Sequence, residues 1–494
     1  MRSERTTKSR SHQGNSVLSY FFVTWCLHGS NSPVFRGVVV SWWFILLAFF
    51  CGSSSRIASA AEPRPNFVFL LTDDQRADTV GPKNYGPLTT PNIDRLAQEG
   101  VRFTNAFVTT SICCISRASY LTGRLARNHG VGDFVTPLKP EILAKSFPAL
   151  LHQAGYRTGC LGKWGIGGQE PTGVFDTWHA WGGQGDFFET IDGRQVHNSQ
   201  MLADRAKAFL KSGPAEQPFC LLVYYKSPHD PYQPDPRDAE LFRDATFSFP
   251  RSASPEHFAT LPEFIRTSEG YTRAQKSHPT PLAYQEFVKQ YLRCIAGVDR
   301  SVGQILRALD ESKQADNTVI VYASDNGFFL GEHGMSHKWL MHEESIRVPL
   351  IIKDPRMPPV MQGRSNEELV LNIDVAPTIL SLAGITPPDD LDGRSLAPLL
   401  RGQKIAWRGD IFYEHHYHHG GKIPRTEGVR NRDWKYVTYF DVNPAYEELY
   451  DLRNDPLEEH NLATDPKFRE QFEAMKARYR QIVSELPPPV LPSK

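Results

Sequence analysis

Asn66-Phe67-Val68-Phe69-Leu70-Leu71-Thr72-Asp73-Asp74 decides the fold, because five consecutive apolar residues, Phe67 to Leu71, break off into a threonine and two carboxylates. A short continuous apolar run is the pattern of a strand buried on both faces, the kind found in parallel sheets. Downstream, the same pattern recurs at Cys220 to Tyr225 and Thr318 to Tyr322, alternating with helical stretches. Thr90-Pro91 opens one helix with a cap and a first-turn proline, Ile93, Leu96 and Ala97 form its apolar face, and Gly100 closes it. Another helix is predicted from Gln285 to Leu309, with Phe287, Leu292, Ile295, Val302 and Leu309 on one stripe. Alternation of this kind from residue 62 to about 400 predicts an α/β domain with a large, mostly parallel sheet flanked by helices.

The pattern changes over residues 401–494. Asp410 to Tyr413, Lys435 to Phe440 and Glu447 to Tyr450 read as short strands and Lys467 to Leu486 as a helix, which predicts a smaller C-terminal subdomain with a short antiparallel sheet. The segment from Ser227 to about Pro281 is rich in Pro, Asp, Ser and Thr and reads as a long irregular insertion. The tail from Pro487 is proline-rich and is expected to fray.

With 494 residues, 40% of them hydrophobic, the chain can bury a large core. Early basic residues, an apolar run from Gly37 to Phe50 and a small-residue site at Ala58-Ser59-Ala60 predict an export signal over residues 1–60. The protein is therefore expected in the periplasm or outside the cell. No stable membrane insertion is expected, since the apolar run is shorter than the ~20 residues that span a bilayer. The whole chain carries 55 basic and 55 acidic side chains; without the leader, 49 basic face 54 acidic, a net −5. Such a balance has no electrostatic footprint for nucleic acid. The remaining cysteines, Cys113, Cys114, Cys160, Cys220 and Cys294, are odd in number and widely spaced, which does not look like a disulfide framework.

Open α/β sheets place their sites beyond the carboxyl ends of the strands, and several strand ends here deliver polar residues. Asp73 and Asp74 follow the first strand; Asp325 and Asn326 follow Thr318 to Tyr322. Together they offer hard oxygen ligands, suited to Ca²⁺ or Mg²⁺ rather than to zinc. Lys163 ends the phrase Arg157-Thr158-Gly159-Cys160-Leu161-Gly162-Lys163, and His229 follows the strand ending at Tyr225. Cys113, at a helix start four residues before Arg117, is expected to have its thiolate favoured by the helix dipole and the cation.

The stretch Cys113-Cys114-Ile115-Ser116-Arg117-Ala118-Ser119-Tyr120-Leu121-Thr122-Gly123-Arg124 resembles the signature of the type I, formylglycine-dependent sulfatases of the alkaline phosphatase-like superfamily. That resemblance implies that a maturation enzyme oxidises Cys113 to formylglycine, whose hydrate is the nucleophile. It further implies a calcium ion held by Asp73, Asp74, Asp325 and Asn326 against the residue at 113. Arg117 would orient the hydrate, Lys163 and Lys338 would bind the sulfate, and His229 would protonate the leaving oxygen. Glu448-Leu449-Tyr450-Asp451-Leu452 and Asp455-Pro456 are similar to phrases of the family's C-terminal subdomain. Two positions depart from the pattern. Ile115 stands where the family has proline or alanine, and Gly165 stands where many members have histidine after Lys163-Trp164.

For substrate, Glu414-His415-His416-Tyr417-His418-His419 and Ile423-Pro424-Arg425-Thr426 form a polar, aromatic cluster. It reads as a rim in which His415, His416 and Arg425 contact sugar groups, with a solvated loop or a metal-binding tract as the alternative. The Cys-Cys start and Arg117-Ala118-Ser119 resemble the N-acetylglucosamine-6-sulfatase branch, and Gly331-Glu332-His333-Gly334 the iduronate-2-sulfatases. The implied substrate is a sulfated polysaccharide or a glycosaminoglycan-like oligosaccharide. Two alternatives stand beside it: a phosphoester hydrolase of the same superfamily, and a secreted glycan-binding relative that never matures its cysteine.

Overall fold

The computed structural model describes residues 64–81, 85–214 and 216–491, so the leader expected over residues 1–60 lies outside the described residues. An eight-stranded sheet forms the centre. In spatial order its strands are Arg364–Asn366, Val101–Phe103, Leu350–Lys353, Thr318–Ser324, Asn66–Thr72, Phe219–Tyr224, Arg157–Lys163 and Thr177–Trp181. Leu350–Lys353 runs antiparallel to both neighbours, and every other adjacent pair is parallel.

Asn66–Thr72 is buried along its whole length, as its apolar run demands. Side chains alternate across a strand, so Phe67, Phe69 and Leu71 enter one core and Val68 and Leu70 the other. The first core is covered by helices Cys113–Thr122, Phe147–Gln153 and Val375–Leu382. The second is covered by Pro91–Glu99, Asn198–Lys211 and Pro281–Glu311. Helices on both faces leave the strand ends as the open edge, and that is where the polar residues gather.

The segment from Ser227 to Pro281 is more ordered than its composition predicts. It contains helices Pro255–Thr260, Glu263–Arg266 and Glu269–Ser277, the first capped by the Ser254 side chain, which accepts from the His257 amide at 3.1 Å. Proline opens the first of these helices at Pro255 and precedes the second at Pro262, instead of preventing them.

The C-terminal sheet has four antiparallel strands, Asp410–His415, Thr426–Asn431, Trp434–Tyr439 and Tyr446–Asp451, backed by helix Arg469–Glu485 through Phe472 and Met475. Its first strand docks behind the start of helix Cys113–Thr122. There the Glu414 amide donates to the Thr109 carbonyl at 3.0 Å, and the Tyr413 hydroxyl accepts from the Ser111 amide at 3.3 Å. The tail is seated, not frayed, as far as residue 491. Arg127 donates to the Pro487 carbonyl at 2.8 Å, and Val490 lies against Gly132.

Candidate active site

Helix Cys113–Thr122 begins at the open edge of the sheet, with Cys113 in its first turn and Arg117 one turn further in. Arg117 is fully buried. Its Nε donates to Asp325 Oδ2 at 2.8 Å, its Nη2 lies 3.4 Å from Asp73 Oδ2, and Nη1 donates to the Lys163 carbonyl. One guanidinium therefore ties together the ends of three strands of the sheet, which its planar, forked donor set suits.

Two lysines neutralise the carboxylates. Lys163 donates to Asp73 Oδ2 and, at 2.6 Å, to Gln184 Oε1; Lys338 donates to Asp74 Oδ1. Asn326 Nδ2 also donates to Asp74 Oδ1, at 2.5 Å, and the Asp74 amide donates to Asp325 Oδ1 at 3.2 Å. Lys338 is presented by a segment in which His337 and Trp339, on either side, have φ values of 77° and 89°. Left-handed backbone at two non-glycine residues is a strained arrangement of the sort concentrated at working sites.

Burial opposes charge on Asp73, yet Lys163 first, then His229, Arg117 and Lys338, hold its carboxyl well below the usual carboxylate range. Asp325 goes the other way, pushed up to about 7 by burial and by the neighbouring charge of Asp73. Three buried oxygens, Asp73 Oδ1, Asp74 Oδ2 and Asn326 Oδ1, have no hydrogen-bond partner. Unpaired buried oxygens are costly. Asp73, Asp74 and His229 also bring ligand atoms within 4.8 Å of one another. The donor set is mainly carboxylate and amide oxygen, and it fits a hard divalent cation.

The Cys113 thiol is pushed up by burial, which outweighs the opposing pull of Lys163 and Lys338. The expectation of a favoured thiolate is thus corrected: at this buried position, desolvation exceeds the pull of the two lysines. His229 sits with Nε2 3.8 Å from Asp74 Oδ2 and Nδ1 2.5 Å from the Asp230 carbonyl. Burial pushes its imidazole down to about 4, so the ordinary value near neutrality does not describe it.

All of this opens into a cavity of about 860 Å³, lined on the inner side by Cys113, Lys163, His229 and Lys338 and on the outer side by Gln184, Lys226, Phe187, Trp339, Tyr417 and His419. Gly165 also lines it, with φ 74° and a virtual Cβ 3.3 Å from Arg117 Cδ. The left-handed backbone and the arginine leave poor room for a side chain there, which accounts for glycine at this position.

The sequence reading brings Asp73, Asp74, Cys113, Arg117, Lys163, His229, Asp325, Asn326 and Lys338 to one place. His415, His416 and Arg425 do not join the wall of this cavity. His415 is fully buried with both ring nitrogens unpartnered, and His416 Nε2 meets Glu427 Oε1 at 3.0 Å. Arg425 pairs with Asp441, its Nε donating at 2.6 Å. The strand Asp410–His415 carries its last residue into the interior, and only after it ends does the loop swing Tyr417, His419 and Ile423 to the cavity. Gln184, Lys226 and Trp339 escape motif reading. An apolar run ending in Lys226-Ser227-Pro228-His229 is the one sequence signal that could have drawn attention to Lys226.

The Sulfatase family model matches residues 65–385, and the model of the N-sulphoglucosamine sulphohydrolase C-terminal region matches residues 331–485. An N-acetylglucosamine-6-O-sulfatase of Bacteroides thetaiotaomicron is 30% identical, over 82% of this chain and 85% of that protein. An ulvan-active sulfatase of Formosa agariphila is 27% identical, over 83% and 78%. Among solved structures, one in complex with its substrate D-glucosamine-2-N,6-O-disulfate superposes with a TM-score of 0.74 at 27% identity, covering 85% of this chain and 98% of that one. A phosphonate monoester hydrolase of Silicibacter pomeroyi also reaches a TM-score of 0.74, covering 85% and 95%; at 22% identity it shares the fold.

Proposed function

The chain belongs to the sulfatase family, and from that premise we propose that it hydrolyses sulfate esters of sulfated polysaccharides or glycosaminoglycan-like oligosaccharides, using a formylglycine made from Cys113 and a calcium ion. The observation that carries this reading is the convergence of Cys113, Arg117, Lys163, His229 and Lys338 on the oxygen cluster of Asp73, Asp74, Asp325 and Asn326, at the inner end of a sugar-sized cavity. Relatives and a structural neighbour named for sulfated sugars support the substrate class.

In this reading the formylglycine supplies a hydrated-aldehyde nucleophile, and the calcium ion, held by Asp73, Asp74, Asp325 and Asn326, supplies positive charge. Lys163 and Lys338, which both line the cavity, would offer their ammonium groups to the nonbridging sulfate oxygens. Such preorganised donors are aimed where charge is concentrated in the transition state. Arg117 orients the residue at 113 while remaining tied to Asp325 and the Lys163 carbonyl.

His229 protonates the leaving oxygen through Nε2. Its Nδ1 is fixed against the Asp230 carbonyl, so that nitrogen carries a proton in either charge state. A bound sulfate anion beside Nε2 favours the imidazolium that burial alone disfavours.

Maturation by a formylglycine-generating enzyme and export by the N-terminal leader complete the proposal. Among the described residues no helix is long and apolar enough to cross a membrane. The test is sulfate release from a sulfated oligosaccharide, measured by ion chromatography. Release should be lost on Cys113→Ala and on chelation; absence of turnover by aldehyde-bearing, calcium-loaded protein on a panel of sulfated sugars would refute it.

A further inference from the structure

Three lysines line the cavity, and one of them lacks a counter-ion. Lys163 and Lys338 each contact a carboxylate. Among the described residues no carboxylate oxygen comes within salt-bridge reach of Lys226, although that side chain is only 4% exposed. Its ammonium donates to the Gln184 main-chain carbonyl at 3.2 Å and lies 4.8 Å from the centre of the Phe187 ring. An ammonium removed from water normally pairs with an anion, and one held by a carbonyl and an aromatic face is left seeking one.

Gln184 fixes where that ammonium sits relative to the reacting end. Its side-chain oxygen accepts from Lys163 and its main-chain oxygen accepts from Lys226, so one residue holds both ammonium groups beside the cavity. The loop that holds Gln184 is Gly182-Gly183-Gln184-Gly185. At Gly185 φ is 64°, and a Cβ would fall 2.1 Å from the Trp181 ring, so a larger residue would displace the loop. The charges acting most strongly on Cys113 are those of Lys163 and Lys338, the two inner lysines. Burial, and then repulsion from Lys163, push Lys226 down from the ordinary lysine value against the weaker pull of Asp73, Asp230 and Asp186.

We propose that Lys226 binds a second anionic substituent, a sulfate or a carboxylate, on the sugar or its neighbouring residue, while Lys163 and Lys338 hold the sulfate that is cleaved. This rests on the sulfatase reading of the site and narrows its substrate to glycans with at least two negative groups. A charge-assisted contact to a largely buried ammonium is strong enough to set specificity.

Binding to the Cys113→Ala protein, which cannot turn substrate over, tests the proposal by calorimetry. The probes are two pairs: glucosamine 6-sulfate against glucosamine 2-N,6-O-disulfate, and a sulfated uronate-containing disaccharide against its carboxyl-reduced form. The doubly anionic member of at least one pair should bind about tenfold tighter. Lys226→Met should bring that ratio to about one, Lys226→Gln should do the same, and Lys226→Arg should retain it. A preference confined to the first pair identifies a sulfate, and one confined to the second a carboxylate. Equal affinity within both pairs would overturn the proposal, as would Lys226→Met and Lys226→Gln proteins, shown folded by their melting temperatures, that weaken both members of a pair by the same factor. Sulfate release by the formylglycine-bearing protein is measured separately, so failure of the sulfatase reading is distinguishable from failure of this one.

Discussion

Arg117 Nε donates to Asp325 Oδ2 at 2.8 Å with both side chains wholly shielded from water. Removing one member of a buried pair strands the other, at a cost of about 3–5 kcal/mol. Arg117→Met should therefore destabilise the protein by that order in denaturant melts as well as abolish sulfate release. In an Asp325→Asn background the same substitution should cost clearly less, because the Asp325 carboxylate is no longer there to be stranded. Additive losses in the double-mutant cycle would show that the pair does not hold the strand ends together.

Calcium removal should be visible in stability as well as in activity. Asp73 Oδ1, Asp74 Oδ2 and Asn326 Oδ1 are buried without partners, so a cation that satisfies them stabilises the folded state by mass action. Melting temperature should rise with Ca²⁺ concentration and fall on chelation, and Asp74→Asn should blunt the rise. A melting temperature indifferent to Ca²⁺ would contradict the assignment of these oxygens.

Gly165 takes the place of a histidine found in many sulfatases, and its backbone conformation disfavours any side chain. Gly165→Ala should cost about 1–2 kcal/mol of stability, since φ is 74°. It should also lower turnover by pressing on Arg117 Cδ. Unchanged turnover in a folded Gly165→Ala protein would show that Arg117 tolerates displacement.

Glu448 offers a pH test remote from the reaction centre. Burial, and Glu458 among its neighbours, push its carboxyl up to about 8 against the pull of the Tyr439 hydroxyl, which donates to it at 3.1 Å. A raised folded-state value means that its contribution is intact below the unfolded value, near 4.5, and is lost as pH rises toward about 8. The stability difference between Glu448→Gln and wild-type protein should consequently shift in favour of the variant from pH 5 to pH 8. A difference independent of pH would place the Glu448 carboxyl in its ordinary range. Buried histidines such as His415, depressed to about 3, change stability in the opposite sense at lower pH, and the comparison cancels them.

Strand ends were legible because a buried parallel strand leaves a plain trace, an apolar run ending abruptly in polar residues, as at Leu71-Thr72-Asp73. Strand Thr426–Asn431 was not, for it reads Thr-Glu-Gly-Val-Arg-Asn and carries no apolar run. It is held by pairing on both sides and by Gly428, where a Cβ would strike the Tyr436 carbonyl at 2.4 Å. The histidine cluster misled for a related reason. Composition marks a polar rim, but which of its members face the cavity depends on where the strand stops. Lys226 and Gln184 lie in no motif, and their roles come from a loop and a strand meeting across the cavity.

That placement changes which substitutions should affect substrate choice. Tyr417→Ala and His419→Ala, on the cavity wall, should impair hydrolysis of a sulfated oligosaccharide much more than that of a small aryl sulfate, because remote contacts exist for the larger substrate alone. His416→Ala should act through stability, since it removes one of the partners of Glu427, which Arg127 and Tyr479 also contact. Selective loss of oligosaccharide hydrolysis in folded His416→Ala protein would return that residue to the substrate rim.

The proposed chemistry requires an aldehyde at residue 113, and mass spectrometry of the peptide that contains it reads this out. In protein made alongside a formylglycine-generating enzyme, position 113 should lose two hydrogens and exchange its sulfur for oxygen. Aldehyde-specific hydrazide labelling should then disappear in Cys113→Ala and survive in Cys114→Ala, because only Cys113 has the Ser116-Arg117 pair at the third and fourth positions after it. An unmodified thiol at Cys113 in protein that still releases sulfate, or an aldehyde at Cys114 instead, would contradict the account.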